Sequence, residues 1–178
     1  MSEKRDTRTR NWTFFVYPES APENWRDVLN EMHIPWIESP LHDKDVDSNG
    51  ELKKAHWHIL ILFASKKSYE QVREITLRLK APNPQKVMDL KGMVRYFAHM
   101  DDPNKFQYSK SEIIGHAGAD PLIYLSANSG ERYQLIKEMI SFVKENDIDE
   151  IQDLIDYAME NRFDDWFPLL CDNSAFIM

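Results

Sequence analysis

Apolar and polar positions along the first part of the chain recur with the periods of a mixed helix and strand domain. Aromatic, β-branched or continuous apolar stretches predict strands over residues 11–17, 34–41, 56–63 and 85–90. Helical spacing of apolar residues predicts helices over 20–32, 69–79 and 91–100. The order strand, helix, strand, strand, helix, strand, helix predicts an α+β domain over residues 1–120. We expect a ferredoxin-like or RRM-like antiparallel sheet with helices on one face.

The remaining residues, 121–178, show only helical periodicity. Apolar positions fall at helical intervals over 131–144 and again over 149–161. A region this short has little core of its own, so its apolar stripes are expected to pack on each other, on the first domain or on other copies. We predict a small all-α region for self-association. The chain ends in AFIM, residues 175–178, without a capping residue, which indicates a helix cut short.

Composition bounds the class of protein. The chain has 178 residues, 42% of them hydrophobic, as expected of a folded protein. Its single cysteine, Cys171, cannot form an internal disulfide, and the start MSEKRDTRTR has no apolar targeting segment. The longest apolar run, residues 59–64, is far shorter than the roughly 20 residues that span a bilayer. We therefore expect a cytoplasmic protein with no membrane contact.

The net charge of -8 is distributed unevenly. Residues 1–120 hold 18 basic and 18 acidic side chains, whereas residues 121–178 hold 4 basic and 12 acidic ones. The overall negative charge does not indicate a nucleic-acid partner, because proteins that bind nucleic acids usually have a basic surface. Residues 1–120, which are neutral overall, can still carry a local basic face that binds nucleic acid. The acidic residues 121–178 would then have a different function.

The stretch KKAHWHILILF, residues 53–63, places two histidines at the start of a predicted core strand. Residues two apart on a strand share a face, so His56 and His58 lie side by side while Trp57 points to the other face. This is the geometry of the first two ligands of a metal ion. For either histidine alone, a hydrogen-bonded structural role is the commoner explanation.

The preceding strand ends in SPLHDKD, residues 39–45, which supplies His42, Asp43 and Asp45. If the two strands form an antiparallel hairpin, these side chains converge with the histidine pair. Packing does not require such a set at the facing ends of one hairpin, so the pattern favours a metal site. Nitrogen and oxygen ligands suit Mn, Fe, Co, Ni or Zn, and the absence of nearby cysteine argues against structural zinc.

A nucleophile is not selected by spacing alone. In KGMVRYFAHM, residues 91–100, Tyr96 and His99 are neighbours on one face of the predicted helix. The chain has seven tyrosines, and Tyr96 also fits a half-buried aromatic on an amphipathic helix.

The motifs SPLHDKD, KKAHWHILI and MVRYFAHM, in this order, resemble those of the HUH endonucleases. More closely, they are similar to the RepB-type initiators of plasmid rolling-circle replication, whose YPES segment matches residues 17–20. The resemblance covers about residues 11–100 and continues weakly into the last part, where that family carries a helical oligomerisation domain.

The resemblance implies an HUH fold and a site-specific nicking and closing enzyme. By match to the family motifs, His42, Asp45, His56 and His58 hold a divalent metal, commonly manganese, with Mg²⁺ or another divalent ion as the alternative, and Tyr96 is the nucleophile. It attacks a single-stranded loop of a plasmid origin hairpin, forms a 5′-phosphotyrosine and frees a 3′-hydroxyl primer. The implied partners are that loop, the adjacent origin duplex and further copies of the chain.

Basic residues near these motifs are candidates for phosphate contacts. They are Lys44, Lys53, Lys54 and Arg95. For any one of the lysines, a solvated surface charge is the commoner explanation, and phosphate contacts would position DNA without reading its sequence.

Two other functions stay open at this level. One is a metal-dependent oxidoreductase or hydrolase that uses the same histidines and aspartate without covalent tyrosine chemistry. The other is a metal-stabilised DNA-binding module with no catalysis.

Overall fold

The computed structural model describes residues 7–127 and 129–172, and the chain divides into two compact units after Leu125. The interpretation of residues 175–178 as a helix cut short lies outside the described residues. The predicted boundary at residue 120 lies close to this division. A short helix, α4 (Leu122–Leu125), follows the predicted boundary and still belongs to the first unit.

The first unit contains a five-stranded sheet in the order β4-β1-β3-β2-β5, in which every paired strand is antiparallel. The strands are β1 (Thr9–Val16), β2 (Trp36–Glu38), β3 (Trp57–Lys67), β4 (Gln85–Lys86) and β5 (Ile114–His116). The helices are α1 (Trp25–Asn30), α2 (Tyr69–Arg78), α3 (Leu90–Tyr96) and α4, with a short 3-10 turn at Lys110–Glu112. The predicted α+β class and the order of the first seven elements are confirmed.

Helices cover both faces of this sheet, which corrects the expectation that they lie on one. Alternate residues of β3 belong to two separate cores. Ile59 and Ile61 pack with α1 and α2 on one face of the sheet. On the other face, Leu60 packs with Val94 of α3 and with Phe97, the residue directly after α3. Because the central strand is apolar on both sides, a second layer is needed to remove water from the other face.

Local sequence explains where the helices of the first unit begin. α1 starts at Trp25, five residues later than predicted, because the Ser20 and Ala21 amides donate to Tyr17 O in a turn. α3 begins after Asp89, whose carboxylate accepts the Gly92 amide at 2.9 Å. This N-cap fixes the start of the helix that carries Tyr96.

The second unit consists of helices, as predicted: α5 (Ser129–Glu145), α6 (Ile151–Asn161) and α7 (Trp166–Asp172). Its core includes Met139 and Leu154 from the two predicted helices and Trp166 and Leu170 from α7. Sequence periodicity missed α7 because two turns of helix give too little repeat to detect. None of the helices among the described residues is long and apolar enough to cross a membrane.

Candidate metal and nucleophile site

The hairpin of β2 and β3 brings His42 opposite His56. The two residues form an antiparallel bridge, with His42 N donating to His56 O at 2.9 Å and His56 N to His42 O at 3.2 Å. His58 lies two residues further along and shares the face of His56. Its amide donates to Ser39 Oγ at 2.9 Å, which continues the pairing of the two strands. The predicted convergence of the two motifs is therefore present.

Five side chains form one buried cluster with His42 at its centre. Ligand atoms of His42, His56 and His58 lie within 4.8 Å of one another, and the same holds for His42, Asp45 and His99. The His42 ring centroid is 4.7 Å from that of His58 and 4.8 Å from that of His99. The four predicted ligands are thus brought together, and His99 joins them.

Backbone carbonyls orient three of the four histidine rings. His42 Nε2 lies 2.8 Å from Phe97 O, His56 Nδ1 lies 2.7 Å from Lys54 O, and His99 Nδ1 lies 2.8 Å from Phe106 O. A carbonyl oxygen only accepts, so each of these nitrogens carries the hydrogen. In a neutral ring the other nitrogen then presents a lone pair, as metal-binding histidines do.

Hydrogen-bond acceptors consequently face one another inside the cluster. Asp45 Oδ2 lies 3.3 Å from His42 Nδ1 and 3.8 Å from His99 Nε2. The buried Nε2 atoms of His58 and His99 have no hydrogen-bond partner among the described residues. Facing acceptors repel unless a cation lies between them, and buried polar atoms without partners are costly. This donor set fits a divalent ion with nitrogen and oxygen ligands.

Burial keeps two of these rings neutral. Burial lowers the pKa of His58 well below its ordinary value, and the neighbouring histidines lower it further. Burial also lowers the pKa of His42, although Phe97 O and the Asp45 carboxylate oppose this effect. Neutral imidazole is the form that binds a metal, so both shifts favour occupancy near neutral pH.

Tyr96 lies at the end of α3, beside this cluster. Its ring centroid is 5.3 Å from His58 and 5.1 Å from His99, and its side chain is 37% exposed. Lys105 Nζ lies 3.4 Å from the Tyr96 hydroxyl and 4.6 Å from the ring centroid. The Tyr96 ring is therefore next to the candidate metal ligands, and its hydroxyl is exposed and close to a cation.

Tyr108 is a site residue that the sequence did not indicate. Its ring stacks on His42 at 4.2 Å between centroids and 5° between planes. Its hydroxyl donates to Asp45 Oδ1 at 3.1 Å and accepts the Lys44 amide at 3.0 Å. Burial raises the pKa of Tyr108 to about 12, so the hydroxyl stays protonated and keeps orienting Asp45.

Sequence reasoning left His99 without a role and missed Tyr108 and Lys105. The i,i+3 spacing from Tyr96 was a signal for His99, but its left-handed backbone (φ 55°) could not be foreseen. Lys105 and Tyr108 follow in an irregular segment, residues 101–109, where no periodicity relates side chains to the site.

The predicted DNA contacts differ in their surroundings, and they stay predictions. Lys44, Lys53 and Lys54 are exposed. The Lys44 ammonium lies 4.3 Å from the Phe106 ring centroid, and Lys54 forms an ion pair with Glu19. Arg95 is buried and binds the Asp101 carboxylate with two nitrogens, so it would have to leave this ion pair to reach a phosphate.

Comparison with known proteins matches both units. A family model described as the origin binding domain of plasmid replication proteins matches residues 4–120, and one described as the C-terminal part of replication protein RepB matches residues 129–178. The chain is 52% identical over 175 residues to a replication protein of Staphylococcus aureus, covering 98% of this chain and 88% of the relative. It is 44% identical over 172 residues to replication protein RepB of Lactiplantibacillus plantarum, covering 96% and 78%. A RepB of Streptococcus agalactiae is 30% identical over 164 residues, covering 86% and 78%.

Proposed function

Because the chain belongs to the RepB-type plasmid replication initiators, we propose that it nicks and rejoins one strand of a plasmid origin by metal-dependent transesterification. The single observation that carries the proposal is the position of Tyr96. Its ring lies beside a buried cluster of four histidines and a carboxylate, and its hydroxyl is exposed. A nucleophile next to such a cluster is what phosphoryl transfer requires.

The metal is proposed to be manganese, held by His42, Asp45, His56 and His58. His99 is a further candidate ligand, since its buried Nε2 faces Asp45. Bound there, a divalent ion supplies positive charge to the non-bridging oxygens of the scissile phosphate. Tyr108 holds Asp45 Oδ1 by a hydrogen bond, which leaves Oδ2 directed at the histidines.

Tyr96 is the proposed nucleophile. Its phenolic oxygen loses its proton and forms a bond to phosphorus while the bond from phosphorus to the 3′ oxygen breaks, and the released 3′ oxygen takes up one proton to become the free hydroxyl. A free phenol has a pKa of about 10 and is a weak nucleophile at neutral pH. The Lys105 ammonium lies 3.4 Å from the phenolic oxygen and places a positive charge beside the reacting atoms. The phosphotyrosine bond conserves the energy of the phosphodiester, so the same site can reseal the strand.

The substrate is proposed to be single-stranded DNA in an origin hairpin loop, with the adjacent duplex held elsewhere on the protein. The family model that matches the first unit describes an origin binding domain. The exposed residues Lys44, Lys53 and Lys54 lie in the two sequence motifs that supply the histidines and the aspartate of the site. Lysine contacts to phosphates would position the strand without reading its bases.

We also propose that the second unit joins copies of the chain. Tyr133, Ile136 and Ile140 are exposed on α5 at 74%, 39% and 50%, and their i, i+3, i+7 spacing places them on one face. Exposed apolar side chains grouped in this way are typical of an interaction surface.

A denaturing gel tests the nicking proposal. The full chain is incubated with Mn²⁺ and labelled single-stranded origin-loop oligonucleotides, and a band that keeps the label on the protein reports a covalent adduct. We expect this band for the unmodified protein and not for Tyr96→Phe. Tyr69→Phe removes the hydroxyl of a comparably exposed tyrosine on α2 and serves as the matched control.

The alternatives give other results on the same gel. Cleavage that survives Tyr96→Phe identifies a metal-dependent hydrolase in which Tyr96 is structural. Intact, unlinked oligonucleotides on this gel, together with a shift of the same oligonucleotides by the unmodified protein on a native gel, identify a DNA-binding module. Either result rejects the proposed transesterification.

A further inference from the structure

A cavity of about 230 Å³ opens beside the candidate site, between the sheet and α3. The side chains that line it include Thr13, Phe15, His58, Gln85, Met93 and Tyr96. Two of them, His58 and Tyr96, belong to the site already described. The cavity therefore begins where the proposed scissile phosphate would lie and leads away from it along the sheet.

Strand register explains why these residues meet. Thr13 of β1 pairs with Gln85 of β4, and Phe15 pairs with His58 of β3. Directly paired residues of antiparallel strands point to the same face. Met93 and Tyr96 are i and i+3 on α3, so they form neighbouring parts of the opposite wall.

Thr13 gives the cavity a polar atom that the fold does not use. The residue is 7% exposed, and its buried hydroxyl has no hydrogen-bond partner among the described residues. A buried hydroxyl without a partner destabilises the free protein, so a ligand that bonds to it would compensate a cost already present. Gln85, exposed at the rim, adds one amide donor group and one acceptor.

The apolar walls suit a flat aromatic ligand. Phe15 is half-buried on the sheet side and Tyr96 is partly exposed on the helix side, with Met93 beside it. Aromatic side chains stack on bases of single strands regardless of sequence, and edge groups then distinguish one base from another. The volume lies below the roughly 300–1,000 Å³ typical of pockets for drug-sized ligands, which favours one small ring system.

We propose that this cavity, the base pocket, holds one nucleobase next to the scissile phosphate and that Thr13 and Gln85 read its edge. The inference rests on the proposed function, because it places the nucleotide by reference to Tyr96 and His58. In this proposal β1 and β4 discriminate between bases, whereas the lysines proposed to contact phosphates only position the strand. Thr13→Val then loses discrimination without losing the fold.

Binding without chemistry tests the base pocket. The full chain is titrated, with a metal chelator present to prevent cleavage, into four fluorescently labelled single-stranded decamers, and binding is followed by fluorescence anisotropy. Each decamer contains one nucleoside only: deoxyadenosine, deoxycytidine, thymidine or 7-deazadeoxyguanosine. In such oligonucleotides every register offers the same base to the pocket. We expect the unmodified protein to prefer one base, and Thr13→Val and Gln85→Leu each to reduce that preference roughly fivefold, the equivalent of one hydrogen bond of about 1 kcal/mol.

Two controls separate recognition from folding. Gln134→Leu changes an exposed glutamine on α5 and should leave the base preference unchanged. Thr13→Val removes a hydroxyl that has no partner, so its melting temperature should equal or exceed that of the unmodified protein. Weaker discrimination in a protein that is at least as stable cannot come from unfolding.

Equal affinity of the unmodified protein for all four decamers overturns the base pocket, and so does an unchanged preference in both variants. The covalent gel gives an independent answer for the proposed function. A missing adduct together with an altered base preference rejects the chemistry and keeps the pocket. A Tyr96-dependent adduct with unaltered preference rejects the pocket and keeps the chemistry.

Discussion

Replacing Tyr108 with phenylalanine isolates one hydroxyl that orients a proposed metal ligand. The ring that stacks on His42 is retained, so packing is nearly unchanged. The variant loses the bond donated to Asp45 Oδ1 at 3.1 Å and the bond accepted from the Lys44 amide at 3.0 Å. Asp45 is then free to rotate away from the histidines.

The expected magnitudes follow from these two bonds. A hydrogen bond to a charged group contributes about 1.5–3 kcal/mol, and a neutral one about 1 kcal/mol. Asp45 is buried and Lys44 is exposed, so water can replace part of the bond from the Lys44 amide but not the bond to Asp45, and we expect a loss of about 1.5–3 kcal/mol in the free energy of unfolding. Partners of metal ligands typically contribute about 10- to 100-fold to metal affinity, so Mn²⁺ should bind at least about tenfold more weakly.

Two measurements on Tyr108→Phe check this reasoning. Thermal unfolding of the metal-free variant, measured with a chelator present, should show a melting temperature about 3–10 °C below that of the unmodified protein. Calorimetric titration should show the weaker Mn²⁺ binding. Tyr69→Phe, which changes a tyrosine on α2, should match the unmodified protein in both. If Tyr108→Phe binds Mn²⁺ within twofold of the unmodified protein, Tyr108 does not position Asp45.

Three further predictions concern other parts of the chain. His99→Gln should weaken Mn²⁺ binding by calorimetry at least about tenfold, whereas the exposed His33→Gln should not; equal affinities would remove His99 from the ligand set. Because burial lowers the pKa of His42 and His58 below 6.5, the unfolded chain takes up protons that the folded chain does not. The metal-free protein should therefore lose part of its stability as the pH falls below 6.5, the ordinary pKa of histidine in the unfolded chain. A urea midpoint at pH 5.5 that is no lower than the midpoint at pH 7.5 contradicts this. Ile140→Asp, on the exposed face of α5, should lower the sedimentation coefficient; an unchanged value argues against self-association through that face.

Much of the fold was predictable because its elements carry strong local signals. β3 has a continuous apolar run, α2 begins with a capping box at Ser68 and Gln71, and α5 repeats apolar residues over several turns. β5 and α7 were missed because three residues and two turns carry too little periodicity. The continuous apolar run of β3 indicates burial on both faces of the sheet, but it does not say which later helix covers each face, and the second helical layer was missed.

The sequence by itself determined the histidine pair of β3 and its meeting with His42, because strand periodicity and a hairpin fix which side chains share a face. Only the tertiary structure decided which other groups complete the site. His99, Lys105 and Tyr108 reach it through a left-handed residue and an irregular segment, whereas Thr13 reaches the adjacent cavity through pairing between strands distant in sequence. Such placements depend on long-range packing, which no local pattern encodes.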